Sequence, residues 1–241
     1  MNQKSKKQII AIGGVGFTKK GQDEASISSD LIHKYFLEQT QTRSPRICFI
    51  PTASGEDQKY IISFYQTFAT YDCKPVHLSL FDPPTSDLES FILGFDAIFV
   101  GGGNTKSMLA LWREWKLDHI LKKAWEQGTL LGGSSAGALC WFEEGITDSI
   151  PGPLTAISCL GFLKGSFCPH YDSEKERKPT YMRMLRDGMK AGMAADDYVA
   201  LHYIGDTLEK IVCASDTGCG YHVHCMDGHL VEKKIKPIRL Q

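Results

Sequence analysis

Short apolar runs alternate with longer segments of helical period through the first half of the chain, and this alternation limits the folds open to it. The runs are rich in β-branched residues and end in glycine, proline or other turn residues, as buried strands do. Strands that are apolar throughout belong to parallel sheets covered by helices on both faces. The sequence therefore predicts an α/β fold with a doubly wound, mostly parallel sheet. Its predicted strands are 8–12, 46–50, 75–80, 95–100 and 129–133.

The predicted helices lie between and after these strands. Apolar residues recur at helical spacing in 28–38, 60–70, one long segment 105–127, 138–143 and 181–190. Residues 145–179 are rich in glycine, proline and polar residues, and 198–240 alternates in a way that predicts antiparallel strands at a sheet edge. With 241 residues, 42% of them hydrophobic, the chain fits a single α/β domain over 1–241.

Charge and composition argue against several classes of protein. The chain has 27 basic and 28 acidic residues, and its short lysine clusters lie near the two ends, so it shows no nucleic-acid footprint. The apolar run 9–12 is too short for a secretory signal or a membrane span, which predicts a cytoplasmic protein without a membrane partner. The eight cysteines are scattered through apolar stretches, as reduced packing thiols are.

The densest cysteine and histidine stretch runs from Cys219 to Cys225. It lacks a Cys-x-x-Cys pair, and in an extended strand His222 and His224 point away from the two cysteines. A plain strand with surface histidines is favoured over a zinc site, so no metal and no cofactor are expected.

The most informative motif is Gly133-Ser134-Ser135-Ala136-Gly137. It is a G-x-S-x-G sequence preceded by an apolar strand and followed by a helical run, the context in which a hydrolase presents its nucleophile on a strained turn. Ser135 is chosen over Ser134 because only Ser135 has glycine two residues away on both sides. The alternative is a glycine-rich turn that only packs tightly or holds a phosphate.

A second glycine-rich element, 101–105, follows a different strand of the same predicted sheet. The carboxyl ends of parallel strands meet at one edge, so this loop is expected near Ser135. An acyl-transfer oxyanion needs two N–H donors. Ala136 and Gly103 are the candidates.

A serine hydroxyl needs a base, and His170 is the preferred histidine because Pro169 stiffens the loop that follows a short apolar run. An acid must then orient the imidazole. Asp148 is the first choice, with Glu143 and Glu144 as rivals; Asp172 is nearly adjacent to His170 and would have to fold back.

Three motifs in order resemble one known family. The Gly-Gly-Gly-Asn-Thr element at 101–105, the Gly-x-Ser-Ala-Gly-Ala turn at 133–138 and the Pro-His pair at 169–170 are similar to the serine peptidases that include aspartyl dipeptidase (peptidase E) and cyanophycinase. The resemblance implies a fold like class I glutamine amidotransferases, which is flavodoxin-like, and Ser-His-acid catalysis without a metal. It also implies a small peptide or acidic small-molecule substrate, and it carries over onto Ser135, His170 and, by position, Asp148.

Three further residues are candidates for substrate binding. Arg177 and Arg183 offer guanidinium groups that pair with a carboxylate, and Asn104 can orient a substrate amine or carbonyl. Two alternatives stay open: an esterase or amidase with the same residues, and a nucleotide- or ligand-binding module built on the glycines at 13–16. The latter lack G-x-G-x-x-G spacing. A homodimer is compatible with any of these predictions.

Overall fold

The computed structural model describes residues 6–17, 21 and 23–241. The strands in chain order are β1 (Gln8–Ile12), β2 (Arg46–Ile50), β3 (Lys74–His77), β4 (Ala97–Val100), β5 (Leu130–Ser134), β6 (Phe142–Thr147), β7 (Thr155–Ser158), β8 (Leu163–Cys168), β9 (Gly192–Ala195), β10 (Val199–Ile204), β11 (Thr207–Cys213), β12 (Gly220–Met226), β13 (His229–Ile235) and β14 (Ile238–Arg239). The helices are α1 (Glu24–Glu38), α2 (Gln58–Phe68), α3 (Leu88–Leu93), α4 (Thr105–Glu114), α5 (Leu117–Gln127), α6 (Ala136–Leu139) and α7 (Arg177–Arg186).

The larger sheet has eight strands in the order β14-β11-β10-β1-β5-β4-β2-β3. The run from β1 through β5, β4 and β2 to β3 is parallel, whereas β10 pairs with β1 in the antiparallel sense. The carboxyl ends of these parallel strands therefore share one edge of the sheet, and the loops after β1, β2, β4 and β5 come together there.

Helices cover both faces of this sheet because alternate side chains of each strand point in opposite directions. Ile9 and Ala11 of β1 join a buried cluster with apolar residues of α4 and α5, while Ile10 and Ile12 join a second cluster with residues of α1 and α2. Burying each of these larger apolar side chains stabilises the fold by about 1.5–3 kcal/mol. The predicted α/β architecture, with helices on both faces of a mostly parallel sheet, is confirmed.

A second sheet of six strands, in the order β13-β12-β9-β8-β6-β7, was not predicted. The sequence favoured a helix over 138–143, but α6 ends at Leu139 and β6 begins at Phe142. Phe142 stacks on Phe167 of β8 with 4.8 Å between ring centroids, so packing across strands overrides the local helical pattern. The glycine-rich region 145–179 supplies β7 and β8 of this sheet.

The long predicted helix 105–127 is two helices. Lys116 lies between α4 and α5 in the left-handed region, with φ of 55°, and this residue breaks the hydrogen-bond ladder. In the part of the chain that the structure describes, no helix combines the length and the apolar composition needed to cross a bilayer.

The Cys219–Cys225 stretch, considered above for zinc, lies mostly in β12. The rings of His222 and His224 lie 5.1 Å apart on the same face. Over residues 6–17, 21 and 23–241, no group of three or more potential metal ligands is found.

Candidate active site

Ser135 occupies a sharp turn between β5 and α6. Its backbone has φ of 56° and ψ of −115°, a conformation that is rare for a residue with a side chain. The surrounding backbone holds this turn: the Ser135 N–H donates to the Ile12 carbonyl at 3.1 Å, and the Ser135 carbonyl accepts from Ala138 and Leu139. A residue strained in this way at a cleft is a functional candidate, because packing maintains a conformation that costs about 1–3 kcal/mol.

The flanking glycines are needed because strand and helix approach each other closely here. A Cβ on Gly133 would lie 2.5 Å from the carbonyl oxygens of both Gly137 and Val100. A Cβ on Gly137 would overlap the Val100 carbonyl as well. The Gly-x-Ser-x-Gly spacing is therefore a steric requirement of this turn.

The two adjacent serines have different surroundings. Ser134 is buried, and its Oγ accepts a hydrogen bond from the Val15 N–H at 2.8 Å, which fixes the glycine loop that follows β1. The Ser135 hydroxyl bonds to no other described residue and faces a cavity of about 370 Å³. Of these two serines, only Ser135 therefore presents to the cavity a hydroxyl without a partner among the described residues.

His170 lines the same cavity. It follows β8 directly, and its φ of 53° turns the chain sharply after Pro169. Its Nδ1 lies 2.7 Å from Oδ1 of Asp197, a residue of the short connection between β9 and β10. The side chains of His170 and Asp197 are 22% and 28% exposed, so the pair is partly shielded from water.

The electrostatics of Asp197 favour its charged form. Burial acts to raise the pKa of this carboxyl, but the hydrogen bond and charge of His170 and a hydrogen bond from Ser173 more than offset that effect, so the pKa lies below its usual value. The Asp197 N–H donates to Oδ1 of Asp172 at 3.0 Å, which helps fix the connection. A carboxylate at this position can hold an Nδ1–H tautomer of His170.

Two backbone N–H groups lie unused at this site. Gly103 lines the cavity, Ala136 is the first residue of α6, and neither N–H has an acceptor among the described residues. The neighbouring Gly102 N–H, by contrast, donates to Oη of Tyr60 at 3.3 Å. Gly103 and Ala136 are therefore available as the oxyanion donors that the sequence predicts.

Comparison with known proteins places this arrangement in a family. Residues 9–211 match the profile of peptidase family S51. The chain belongs to that family. It is 52% identical over 227 residues to the uncharacterized peptidase YgaJ of Bacillus subtilis (strain 168), a match that covers 94% of this chain and 96% of YgaJ. It is accordingly a serine-type peptidase, as the three motifs predicted.

Solved structures share the fold of this S51 peptidase at low sequence identity. A peptidase from an acI-B1 Actinobacterium superposes with a TM-score of 0.66 at 14% identity, covering 97% of this chain and 96% of that one. A provisionally named peptidase E protein from Listeria monocytogenes EGD-e gives a TM-score of 0.58 at 16% identity, covering 96% and 100%.

The predicted acid, Asp148, does not contact His170 in the structure. It is 62% exposed and lies 3.6 Å from Nη2 of the buried Arg177. The rivals are also engaged elsewhere: Glu143 binds Lys164 and Lys190, and Glu144 accepts from the Lys190 N–H. The carboxylate that contacts His170 in this S51 peptidase is Asp197.

The three predicted substrate-binding side chains serve other purposes or lie elsewhere. Asn104 caps α4 by accepting from the Ser107 N–H and also donates to the Ser149 carbonyl at 2.9 Å. Arg177 is 3% exposed and is neutralised by Glu174 and Asp148. Arg183 is exposed on α7 and is not among the described residues that line the cavity.

Backbone groups of the glycine loop at 13–16 are also hydrogen-bonded within the protein. The Gly13 N–H donates to the Val199 carbonyl, the Gly14 carbonyl accepts from the Tyr198 N–H, and the Val15 N–H binds Ser134. A phosphate-binding loop needs free N–H groups and no adjacent carboxylate, whereas Asp197 lies directly against Gly14. These contacts weigh against the nucleotide-binding alternative.

Asp196, next to Asp197, is a buried carboxyl of which only one oxygen is hydrogen-bonded to described residues. It is 3% exposed, and its Oδ2 accepts from the Cys219 N–H at 2.9 Å and from the Tyr221 hydroxyl at 3.1 Å. Its Oδ1 has no partner among the described residues. Burial raises the pKa of Asp196 to about 6.

We therefore expect Asp196→Asn to stabilise the protein at neutral pH. Between about pH 4 and pH 6 the folded state holds a proton on Asp196 that the unfolded state has lost, so the native free energy of unfolding falls as pH rises through this window. The neutral amide avoids that fall, which amounts to as much as about 3 kcal/mol above pH 6. Thermal unfolding from pH 4 to pH 8 measures it. If the Tm of the variant did not rise relative to that of the native protein as pH increases, the raised pKa of Asp196 would be contradicted.

Proposed function

We propose that this S51 peptidase cleaves small peptides through a triad of Ser135, His170 and Asp197, with Ser135 on a nucleophile elbow. The observation that carries the proposal is the 2.7 Å contact between Nδ1 of His170 and Asp197 in the cavity that also exposes the Ser135 hydroxyl. A histidine held by a carboxylate, in the same cavity as a free serine hydroxyl, is the set of groups that activates a serine.

The reaction follows from these positions. The Ser135 Oγ attacks the substrate carbonyl carbon while Nε2 of His170 takes the hydroxyl proton, and Asp197 stabilises the imidazolium that forms. The Gly103 and Ala136 N–H groups bind the negative oxygen of the tetrahedral intermediate. The C–N bond then breaks as His170 gives its proton to the leaving amine. Water, deprotonated by His170, then attacks the acyl carbon; the bond between this carbon and Ser135 Oγ breaks, His170 returns the proton to Oγ, and the carboxylic acid product leaves.

The size of the cavity supports a small substrate. A volume of about 370 Å³ holds a dipeptide or the end of a longer peptide better than a folded chain. The preference for an acidic residue is a prediction from the family resemblance alone, because no lysine or arginine is found among the described residues that line the cavity. The cytoplasmic location and a homodimer likewise stay predictions.

A substrate panel tests the proposal and its esterase or amidase alternative together. Purified protein is incubated with Asp-X, Asn-X and Ala-X dipeptides and with p-nitrophenyl acetate, and products are measured by mass spectrometry or absorbance. Hydrolysis of at least one peptide, absent in Ser135→Ala, is the expected result. Cleavage of the ester without any peptide would favour an esterase, and faster Asp-X than Asn-X cleavage would establish the acidic preference.

Gly14 offers a test of the His170–Asp197 pair without changing either residue. A Cβ at Gly14 would lie 2.7 Å from both Nδ1 and Cε1 of His170 and would overlap Oδ1 of Asp197. We expect Gly14→Ala to displace the imidazole and to lower kcat by roughly 100-fold. Gly16→Ala is the matched control, because a Cβ there meets nothing within 4 Å. Equal kcat in the two variants, with both folded by circular dichroism, would argue against the proposed geometry.

A further inference from the structure

Tyr60 of α2 is a polar group in the cavity that the triad does not use. Its Oη accepts a hydrogen bond from the Gly102 N–H at 3.3 Å. A phenol is both acceptor and donor, and the Tyr60 proton has no acceptor among the described residues. Because such donors are rarely left unpaired when removed from bulk water, the proton is expected to bind a water or a substrate oxygen.

The ring of Tyr60 is held rigidly. It packs edge-on against Phe49 with centroids 5.2 Å apart and lies 5.1 Å from the ring of Phe17. On the other side it lies against Gly101, where a Cβ would come within 2.7 Å of Tyr60 Cε1. The hydroxyl is therefore positioned before any substrate arrives, which is what an electrostatic catalyst requires.

The position of Gly102 relates this hydroxyl to the nucleophile. A Cβ on Gly102 would lie 3.4 Å from Cβ and 4.0 Å from Oγ of Ser135. Tyr60 Oη is hydrogen-bonded to the N–H of this same glycine, and the next residue, Gly103, carries one proposed oxyanion donor. The phenol, the glycine loop and the serine therefore line the same cavity, and Gly102 contacts both side chains.

We propose that Tyr60 is a further catalytic residue, whose O–H donates a third hydrogen bond to the carbonyl oxygen that becomes negative when Ser135 attacks. The inference rests on the proposed function, and it adds a third hydrogen-bond donor to the N–H groups of Gly103 and Ala136. No proton is transferred, because the phenol stays neutral throughout: burial raises the pKa of Tyr60 above its usual value. The donor strengthens as charge develops on the oxygen, so it acts on kcat more than on KM.

The first test is Tyr60→Phe, which keeps the ring and its contacts with Phe17 and Phe49. With p-nitrophenyl acetate or the best dipeptide as substrate, we expect kcat to fall by roughly 100-fold with KM changed by less than about threefold. A higher KM with unchanged kcat, or no change in either, would overturn the inference. Ser135→Ala is measured in parallel: if it remains active, the proposed function fails, whereas an inactive Ser135→Ala beside a fully active Tyr60→Phe removes only the role of Tyr60.

A second test separates donation to the substrate from support of Gly102. Site-specific 3,5-difluorotyrosine at position 60 lowers the phenol pKa and leaves the other groups in the cavity, including His170, Asp197 and Tyr198, unchanged. If Tyr60 donates to the substrate, ionisation removes the donor, and the alkaline loss of kcat moves to lower pH. If Tyr60 only accepts from the Gly102 N–H, the phenolate is a better acceptor, and the decrease of kcat at alkaline pH stays where it is in the native protein. That result would refute the proposal.

Discussion

Replacing Ser135 with alanine is expected to lower kcat for the best peptide substrate by about 10⁴-fold or more. The change removes the nucleophile, and no covalent route remains in the cavity. It also removes only one polar atom of a half-buried residue, and that atom bonds to no described residue, so the free energy of unfolding should change little. Steady-state hydrolysis followed by mass spectrometry, with thermal unfolding alongside, measures both quantities.

Ser134→Ala is the matched control for this variant. Ser134 lies one residue away, but its Oγ accepts from the half-buried Val15 N–H, so its loss removes a hydrogen bond worth about 1 kcal/mol. The expected result is a lower Tm with hydrolysis retained. If Ser134→Ala abolished turnover while Ser135→Ala did not, the nucleophile would have to be reassigned.

The second large effect is expected for Asp197→Asn, with kcat lower by on the order of 10³-fold. The amide has the shape of the carboxylate, but its NH₂ group would donate to Nδ1 of His170, which lies 2.7 Å from Oδ1 in the native protein. That contact selects the tautomer with a proton on Nε2, which cannot accept the proton of Ser135. The imidazolium would also lose its counter-charge.

Asp148→Asn distinguishes this assignment from the one that the sequence favoured. Asp148 is 62% exposed, and its pairing with Arg177 at 3.6 Å is worth less than about 1 kcal/mol. We expect kcat close to that of the native protein. If kcat fell as much in Asp148→Asn as in Asp197→Asn, Asp148 would have to move to His170 during turnover, and the assignment of Asp197 would be contradicted.

What could be predicted from the sequence follows from how local each feature is. Ser135 is recognisable from the sequence because the turn around it requires glycine at 133 and 137, and all of these positions lie within five consecutive residues. The strand positions of β1, β2, β4 and β5 follow from apolar runs of the kind that parallel sheets require. His170 was found through the adjacent proline and strand, which are again neighbours in sequence.

Asp197 was missed because its role depends on sheet order. The acids predicted from the sequence all lie between Ser135 and His170. In the sheet, however, β10 pairs with β1, and β1 pairs with β5. This order brings the connection before β10 to the edge where Ser135 lies. The Asp196-Asp197 pair at the end of an apolar strand is the signal that was available, although periodicity alone does not tell which strand lies next to which.

Tyr60 was missed for a related reason. Its ring lies on the apolar face of α2, so its spacing in the sequence is that of a core residue. The neighbouring residues give no indication that its hydroxyl bonds to the Gly102 N–H in the cavity. The role becomes visible only when the turn after β4 is packed against α2. Features that join distant elements therefore needed the structure, whereas features within one turn did not.

Labelling with a fluorophosphonate probe, followed by mapping of the modified peptide, shows whether Ser135 is a nucleophile activated by His170. Such a serine reacts covalently with the probe, so we expect one adduct on Ser135 that is absent in Ser135→Ala and forms much more slowly in His170→Ala. An adduct on another residue, or labelling at the native rate without the imidazole, would contradict it.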